Sequence, residues 1–143
     1  MPFITCKVNR PISRAQETEL KVRMGKAIEL VPGKSEQYLL LSFEPDSHLW
    51  LRGDDSQPMA YIDATIFGNE GHYGYPEFTA EVTHAFSEVL GIPAGNVYIK
   101  YEDIAAWGVN GQYIDRSYSI IAHKRGISVG DIRQTRKKPE FSV

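Results

Sequence analysis

The sequence predicts an α+β fold, in which two strand-helix-strand units form a four-stranded mixed sheet with two helices on one face. Three observations carry this. Short runs alternate apolar and polar residues, as half-buried strands do. Two longer runs place apolar residues at helical spacing. The order strand, helix, strand occurs twice, in segments 2–57 and 58–111 of one 143-residue chain.

The first strand is expected over Pro2–Val8, with Ile4, Cys6 and Val8 on one face. A helix follows from about Arg14 to Val31, with Ser13 as its N-cap and Leu20, Met24, Ala27, Ile28 and Val31 as its buried stripe. Pro32-Gly33 stops it. A second strand is expected over Gln37–Glu44, where Leu39, Leu40, Leu41 and Phe43 make both faces apolar. The polar run from Pro45 to Pro58 is a loop. The third strand, Met59–Phe67, sets Ala60, Ile62, Ala64 and Ile66 against Tyr61, Asp63 and Thr65. Gly68, Gly71 and Gly74 make a turn, read as a glycine-rich loop tip rather than an anion cradle. The second helix starts near Tyr75, with Pro76 suited to its first turn, and buries Phe78, Val82, Ala85, Phe86, Val89 and Leu90 before Gly91 ends it. The fourth strand is Val97–Glu102. Each crossover helix joins two parallel strands, which puts both helices on one sheet face and leaves the other uncovered. Burial of that face against other subunits is expected.

Composition bounds the function. Hydrophobic residues make up 42% and charged residues 24%, in the range of globular domains. A single cysteine, Cys6, leaves no intramolecular disulfide to form. His48, His72, His84 and His123 are scattered without zinc spacing, so no metal is expected. There is no apolar run of membrane-spanning length and no signal-peptide pattern, and a cytoplasmic protein is the expectation. The net charge of −2 is unevenly spread: residues 112–143 carry 7 Lys+Arg against 3 Asp+Glu, the rest 9 against 15. The basic segment with Arg133, Arg136, Lys137 and Lys138 lacks interleaved aromatics, and no nucleic-acid partner is expected. Residues 112–143 are thus a compositionally distinct extension. Within it, residues 112–125, with Tyr113, Ile114, Tyr118, Ile120 and Ile121, are expected to pack on a neighbouring subunit, and the last residues to fray.

Two residues carry candidate chemistry. Gly33-Lys34-Ser35 resembles the end of a phosphate-binding loop, but the glycine that motif needs is Ile28 here and a helix precedes it. Pro2 follows Met1 at the head of a strand. Removal of Met1 would make Pro2 a secondary amine; an α-amino group titrates near roughly 7.7–8.0, and apolar burial or a nearby lysine lowers that toward neutrality, where an amine is a usable general base. Lys34 precedes the second strand, and parallel strands begin at the same sheet edge, so Pro2 and Lys34 are expected to be neighbours. An ammonium beside an amine base suits a small carboxylate substrate. If Met1 stays, the Pro2 nitrogen is an amide without basicity.

With these pieces the chain resembles the tautomerase superfamily, in its macrophage migration inhibitory factor and D-dopachrome tautomerase branch. The resemblance rests on Met1-Pro2, on Gly33-Lys34-Ser35-Glu36-Gln37-Tyr38, on Ile66-Phe67-Gly68 with Gly71, on Val97-Tyr98-Ile99 and on the run Ala105–Gly111. It covers residues 1–111, and implies a tautomerase-like domain there, a homotrimer with sites between adjacent subunits, and no cofactor. It implies Pro2 as base, Lys34 as carboxylate binder and Ile66 as a backbone contributor. Phe3, Tyr98, Trp107 and Val109 become apolar walls, Tyr98 coming from the neighbouring chain. Lys100 stands where the family's best-known member has an asparagine lining the pocket, which implies a second positive charge. The activity so implied is keto–enol tautomerisation of small α-keto acids such as phenylpyruvate; the alternative is a non-catalytic, cytokine-like signalling or binding protein on the same scaffold.

Overall fold

The computed structural model describes residues 1–116. Strand β1 (Pro2–Val8) leads to helix α1 (Arg14–Ala27) and strand β2 (Leu40–Glu44). Strand β3 (Ala60–Ile66), helix α2 (Tyr75–Leu90) and strand β4 (Val97–Asp103) repeat the pattern, and a hairpin of β5 (Ala106–Val109) and β6 (Gln112–Asp115) follows. The main sheet runs β2-β1-β3-β4. β1 and β2 are parallel, as are β3 and β4, while the central pair β1–β3 is antiparallel. This is the expected four-stranded mixed sheet.

Strict alternation fixes which face is buried. Ile4, Cys6 and Val8 share the helix side with Ile62, Ala64 and Ile66, and all six are fully buried. They pack with Leu20, Met24, Ala27 and Ile28 of the first crossover and with Phe78, Val82, Ala85 and Phe86 of α2. Fully burying one such aliphatic or aromatic side chain stabilises by about 1.5–3 kcal/mol. The opposite face carries Phe3, Thr5, Lys7, Leu40, Tyr61, Asp63, Tyr98 and Lys100, with Leu40 59% and Tyr98 53% exposed. Buried Cys6 has its thiol pushed well above the usual range by loss of solvation.

Ser13 caps α1 as expected, within a full capping box: its hydroxyl accepts from the Gln16 N–H, and the Gln16 side chain accepts from the Ser13 N–H at 2.9 Å. Two boundaries differ from expectation. The α-helix stops at Ala27, and Ile28–Leu30 tighten into a 3₁₀ turn. Val31 is already extended, the conformation that a following proline imposes. The second strand begins at Leu40, not Gln37, because Glu36–Tyr38 form another 3₁₀ turn. There the Tyr38 and Leu39 N–H groups donate to Ser35 and Glu36 carbonyls and are lost to the ladder. A matching 3₁₀ turn, Ala94–Asn96, precedes β4, so the repeat extends to this detail.

The sheeted chain also runs past the boundary expected at Gly111. Asn110 (φ 55°) and Gly111 (φ 72°) both take left-handed conformations between paired Val109 and Gln112. That is the two-residue I′ turn that Asn-Gly favours. β6 returns along β5, and Ile114 is buried within its own chain. Residues 112–115 of the extension thus form an intrachain hairpin strand; residues 117–143 lie outside the described residues.

Gly74, at the start of α2, and Gly91, at its end, both have positive φ, 81° and 69°. A Cβ on Gly74 would run into the Leu30 carbonyl oxygen, whereas one on Gly91 meets open space. Gly91→Ala is expected to cost only the left-handed strain, about 1–2 kcal/mol. Gly74→Ala should cost about 1–3 kcal/mol more, from overpacking of the two crossovers. Urea denaturation of both variants checks this; equal losses would remove the close approach as a constraint.

Candidate active site

The site is assembled where β1 begins. The register pairs Pro2 with Ile66, and Ile66 in turn with Asp103, so the start of β1 lies beside the ends of β3 and β4. Beyond this last rung, Met1 and Phe67 extend the pairing: the Phe67 N–H donates to the Met1 carbonyl at 3.2 Å, and the Met1 ammonium donates to the Phe67 carbonyl at 3.3 Å.

Lys34 reaches the same carbonyl from the other side. Val31-Pro32-Gly33-Lys34 closes a turn through a Lys34 N–H to Val31 C=O bond of 3.1 Å, with Gly33 at φ 78°. Proline followed by a glycine of positive φ is the signature of a type II turn. It lifts Lys34 off the end of the first crossover, and its Nζ donates to the Phe67 carbonyl at 2.7 Å. Two cationic groups thus converge on one carbonyl oxygen. Burial holds the Lys34 ammonium below the ordinary lysine range, and its hydrogen bond to the amino terminus acts in the opposite direction.

An apolar wall closes the site. Met1, 5% exposed, packs with Phe67 and Ile114, and Ile104, Trp107 and Val109 lie against this cluster. Trp107 and Val109 come from β5 and Ile114 from β6, so the hairpin supplies most of the wall. Surface clefts elsewhere include one of about 460 Å³ lined by Arg10, Asp46, His48 and Trp50, at the far end of β1 from Pro2. The Met1 side chain is itself buried in this wall.

The structure brings together Pro2, Lys34, Trp107 and Val109 of the residues singled out in the sequence. Ile66 lies next to them, but its carbonyl accepts from the Ile104 N–H at 3.3 Å. The carbonyl presented to Lys34 is that of Phe67, one residue on. Phe3 does not join the Met1 cluster; it lies on the open sheet face, in register with Leu40 and Thr65. Tyr98, near the start of β4, and Lys100, at its middle, also lie on that face, away from Pro2 of the same chain. Lys100 is not a spare charge in this chain, because Asp63 pairs with it at 3.4 Å. Hydrogen bonds with Tyr61 and then Asp63 raise its pKa. Phe67, Ile104 and Ile114 were not singled out for the site. The Asn110-Gly111 turn signal was the clue to Ile114, since a hairpin there folds it back over Trp107.

A polar cluster flanks the same sheet edge. His72 Nε2 lies 2.5 Å from Asp103 Oδ2, and its ring stacks on Tyr75, which stacks on Tyr101. Burial, then the Asp103 carboxylate, push the Tyr75 hydroxyl up. Among the described residues no group of three or more His, Cys, Asp or Glu side chains is placed to hold a metal ion, and no helix is long and apolar enough to cross a membrane.

Comparison with known proteins agrees with this architecture. The sequence profile of the macrophage migration inhibitory factor (MIF) family matches residues 1–114. The chain belongs to the MIF family. Its match ends inside β6, so the family unit includes the hairpin. Xenopus laevis macrophage migration inhibitory factor is 28% identical over 109 residues, which are 76% of this chain and 93% of that protein. The crystal structure of the MIF homologue from Prochlorococcus marinus superposes with a TM-score of 0.68 at 27% identity, covering 78% of this chain and 97% of that one. Pt0534, in a crystal structure of the protein inactivated by 2-oxo-3-pentynoate, shares the fold with a TM-score of 0.68 at 18% identity, covering 76% of this chain and 92% of that one.

The buried ammonium of Lys34 has a thermodynamic signature. Its folded pKa is lowered, so between that value and the ordinary lysine value the unfolded chain binds more protons, and stability from this group rises with pH. Lys34→Met is therefore expected to match or exceed the wild-type melting temperature at neutral pH. Its advantage should shrink as pH rises toward about 10. Urea titrations of both proteins at the two pH values check the sign; an advantage that grows with pH would contradict the burial argument.

Proposed function

We propose that the chain, once Met1 is removed, is a cofactor-independent keto–enol tautomerase acting on small α-keto acids such as phenylpyruvate. Pro2 is its general base and Lys34 binds the substrate carboxylate. The observation that carries this reading is the convergence of Lys34 Nζ and the amino terminus on the Phe67 carbonyl, at 2.7 and 3.3 Å, against an apolar wall. Family membership supports the same chemistry, as does the capture of Pt0534, a chain of this fold, by an α-keto acid.

The steps follow from the groups present. Lys34 fixes the carboxylate through a charge-assisted hydrogen bond, which is strong where water is excluded. The Pro2 nitrogen, as a free secondary amine, takes a proton from the carbon next to the keto group. The C–H electron pair becomes the C=C bond and the carbonyl pair moves to oxygen. Positive charge from Lys34 stabilises the enolate. Return of the proton to oxygen gives the enol, and the reverse sequence gives the ketone. An amide nitrogen cannot take the first proton, so a chain that retains Met1 is inactive in this scheme.

Tyr98 and Lys100 line a site of this kind only if a second copy brings its β4 to the first copy's Pro2. We place them there, in a homotrimer with three equivalent sites between subunits. The exposed Leu40 and Tyr98 on the open sheet face support such packing.

Two measurements test the proposal. Phenylpyruvate turnover, followed by enol absorbance, should fall by orders of magnitude in Pro2→Ala and in a form with Met1 retained, the state of Met1 being read from intact mass. Wild-type turnover in either would remove Pro2 from the mechanism. Light scattering at micromolar concentration should give three times the 16.1 kDa chain mass. A monomer would end the shared-site arrangement.

A further inference from the structure

Met1 is covalently bound to the Pro2 nitrogen, so its own groups report what the space around that nitrogen accepts. Its side chain is buried to 5% exposure against Phe67 and Ile114, with Ile104, Trp107 and Val109 alongside. Its ammonium shares the Phe67 carbonyl with Lys34. Met1 is thus laid out with its charged end toward Lys34 and its side chain in a slot walled by two isoleucines, a valine and two aromatic rings. A methionine side chain is unbranched and adaptable, with three rotatable bonds and a polarizable sulfur. It is also thinner than a phenyl ring.

Resting on the tautomerase reading above, we infer that this slot is the subsite for the substrate's side chain. The favoured substrates are then α-keto acids with a linear aliphatic or thioether chain, the α-keto acid of methionine foremost, ahead of phenylpyruvate. Such an acid repeats the layout of Met1 and improves on it in one respect. Its carboxylate lies where the Met1 ammonium now stands beside the Lys34 ammonium, so opposite charge replaces like charge. The branched walls contributed by Ile104, Val109 and Ile114 grip a narrow chain along its length, whereas a ring must displace them, and well-packed walls resist added volume.

The test uses the full chain with Met1 removed, verified by intact mass. Proton NMR in D₂O follows loss of the C–H signal next to the keto group. Pro2 takes the proton, the enolate forms, and a deuteron returns to carbon. The panel is the α-keto acid of methionine, its linear all-carbon analogue, α-ketobutyrate and phenylpyruvate. The methionine acid should exceed α-ketobutyrate in kcat/KM by roughly tenfold, from the additional chain atoms buried, and should exceed phenylpyruvate several-fold. Val109→Ala, which trims one wall of a partly buried position, should move the ratio toward phenylpyruvate. Phenylpyruvate equal to or faster than the methionine acid, or a ratio unmoved by Val109→Ala, overturns the subsite while leaving the tautomerase reading intact. No exchange with any acid of the panel overturns the tautomerase reading itself, and the subsite with it.

Discussion

The antiparallel ladder between β1 and β3 is the constraint on which the rest depends. Each strand-helix-strand unit closes a parallel pair, and the central ladder joins the two pairs into one sheet. Its register, from Pro2 opposite Ile66 to Val8 opposite Ala60, sets where the chain start falls. Had the register slipped by one residue, every β1 side chain would have changed face and Ile4, Cys6 and Val8 would have left the core. The core therefore fixes the site. Burial of three residues on one face of β1 leaves Pro2 at the last rung and Phe67 just beyond it, within reach of Lys34.

The site in turn works against the core that places it. Lys34 is an ammonium held in a half-dry position because one carbonyl and one turn direct it there, and the charged form is penalised by the lost water. Nothing in the fold itself requires a cation at this position; a methionine would fill similar space. A part-buried ammonium at a sheet edge, hydrogen-bonded to the Phe67 carbonyl beside the chain terminus, is the kind of perturbed group that marks a candidate functional site.

Much of this architecture was legible from the residues. The alternation in β1 and β3 and the stripes of the two helices are strong periodic signals, and the structure keeps them nearly to the residue. Boundaries failed where local hydrogen bonding competes with regular structure, at Ile28–Leu30 and Glu36–Tyr38, because a single turn of 3₁₀ helix leaves no periodicity to read. The hairpin leaves a weaker trace, since its strands are four residues each and only Asn110-Gly111 between them signals the turn. The pairing of Pro2 and Lys34 was accessible from topology, since parallel strands begin at the same edge. Which backbone carbonyl Lys34 would meet was not, since the exposure of the Phe67 carbonyl depends on how the ladder ends. Phe3 follows Pro2 in the strand, and alternation puts it on the open sheet face.

The repeat also carries an asymmetry. A two-fold relation between the units makes the start of β3 the counterpart of the start of β1. At that counterpart the chain passes through Pro58 and Met59, and the Asn9 side chain clasps it, accepting from the Met59 N–H at 2.8 Å and donating to the Gln57 carbonyl at 2.8 Å. An uninterrupted backbone offers amides there and no amine. The two units thus share a scaffold but differ at this corner, where the Asn9 side chain pins the loop that crosses it.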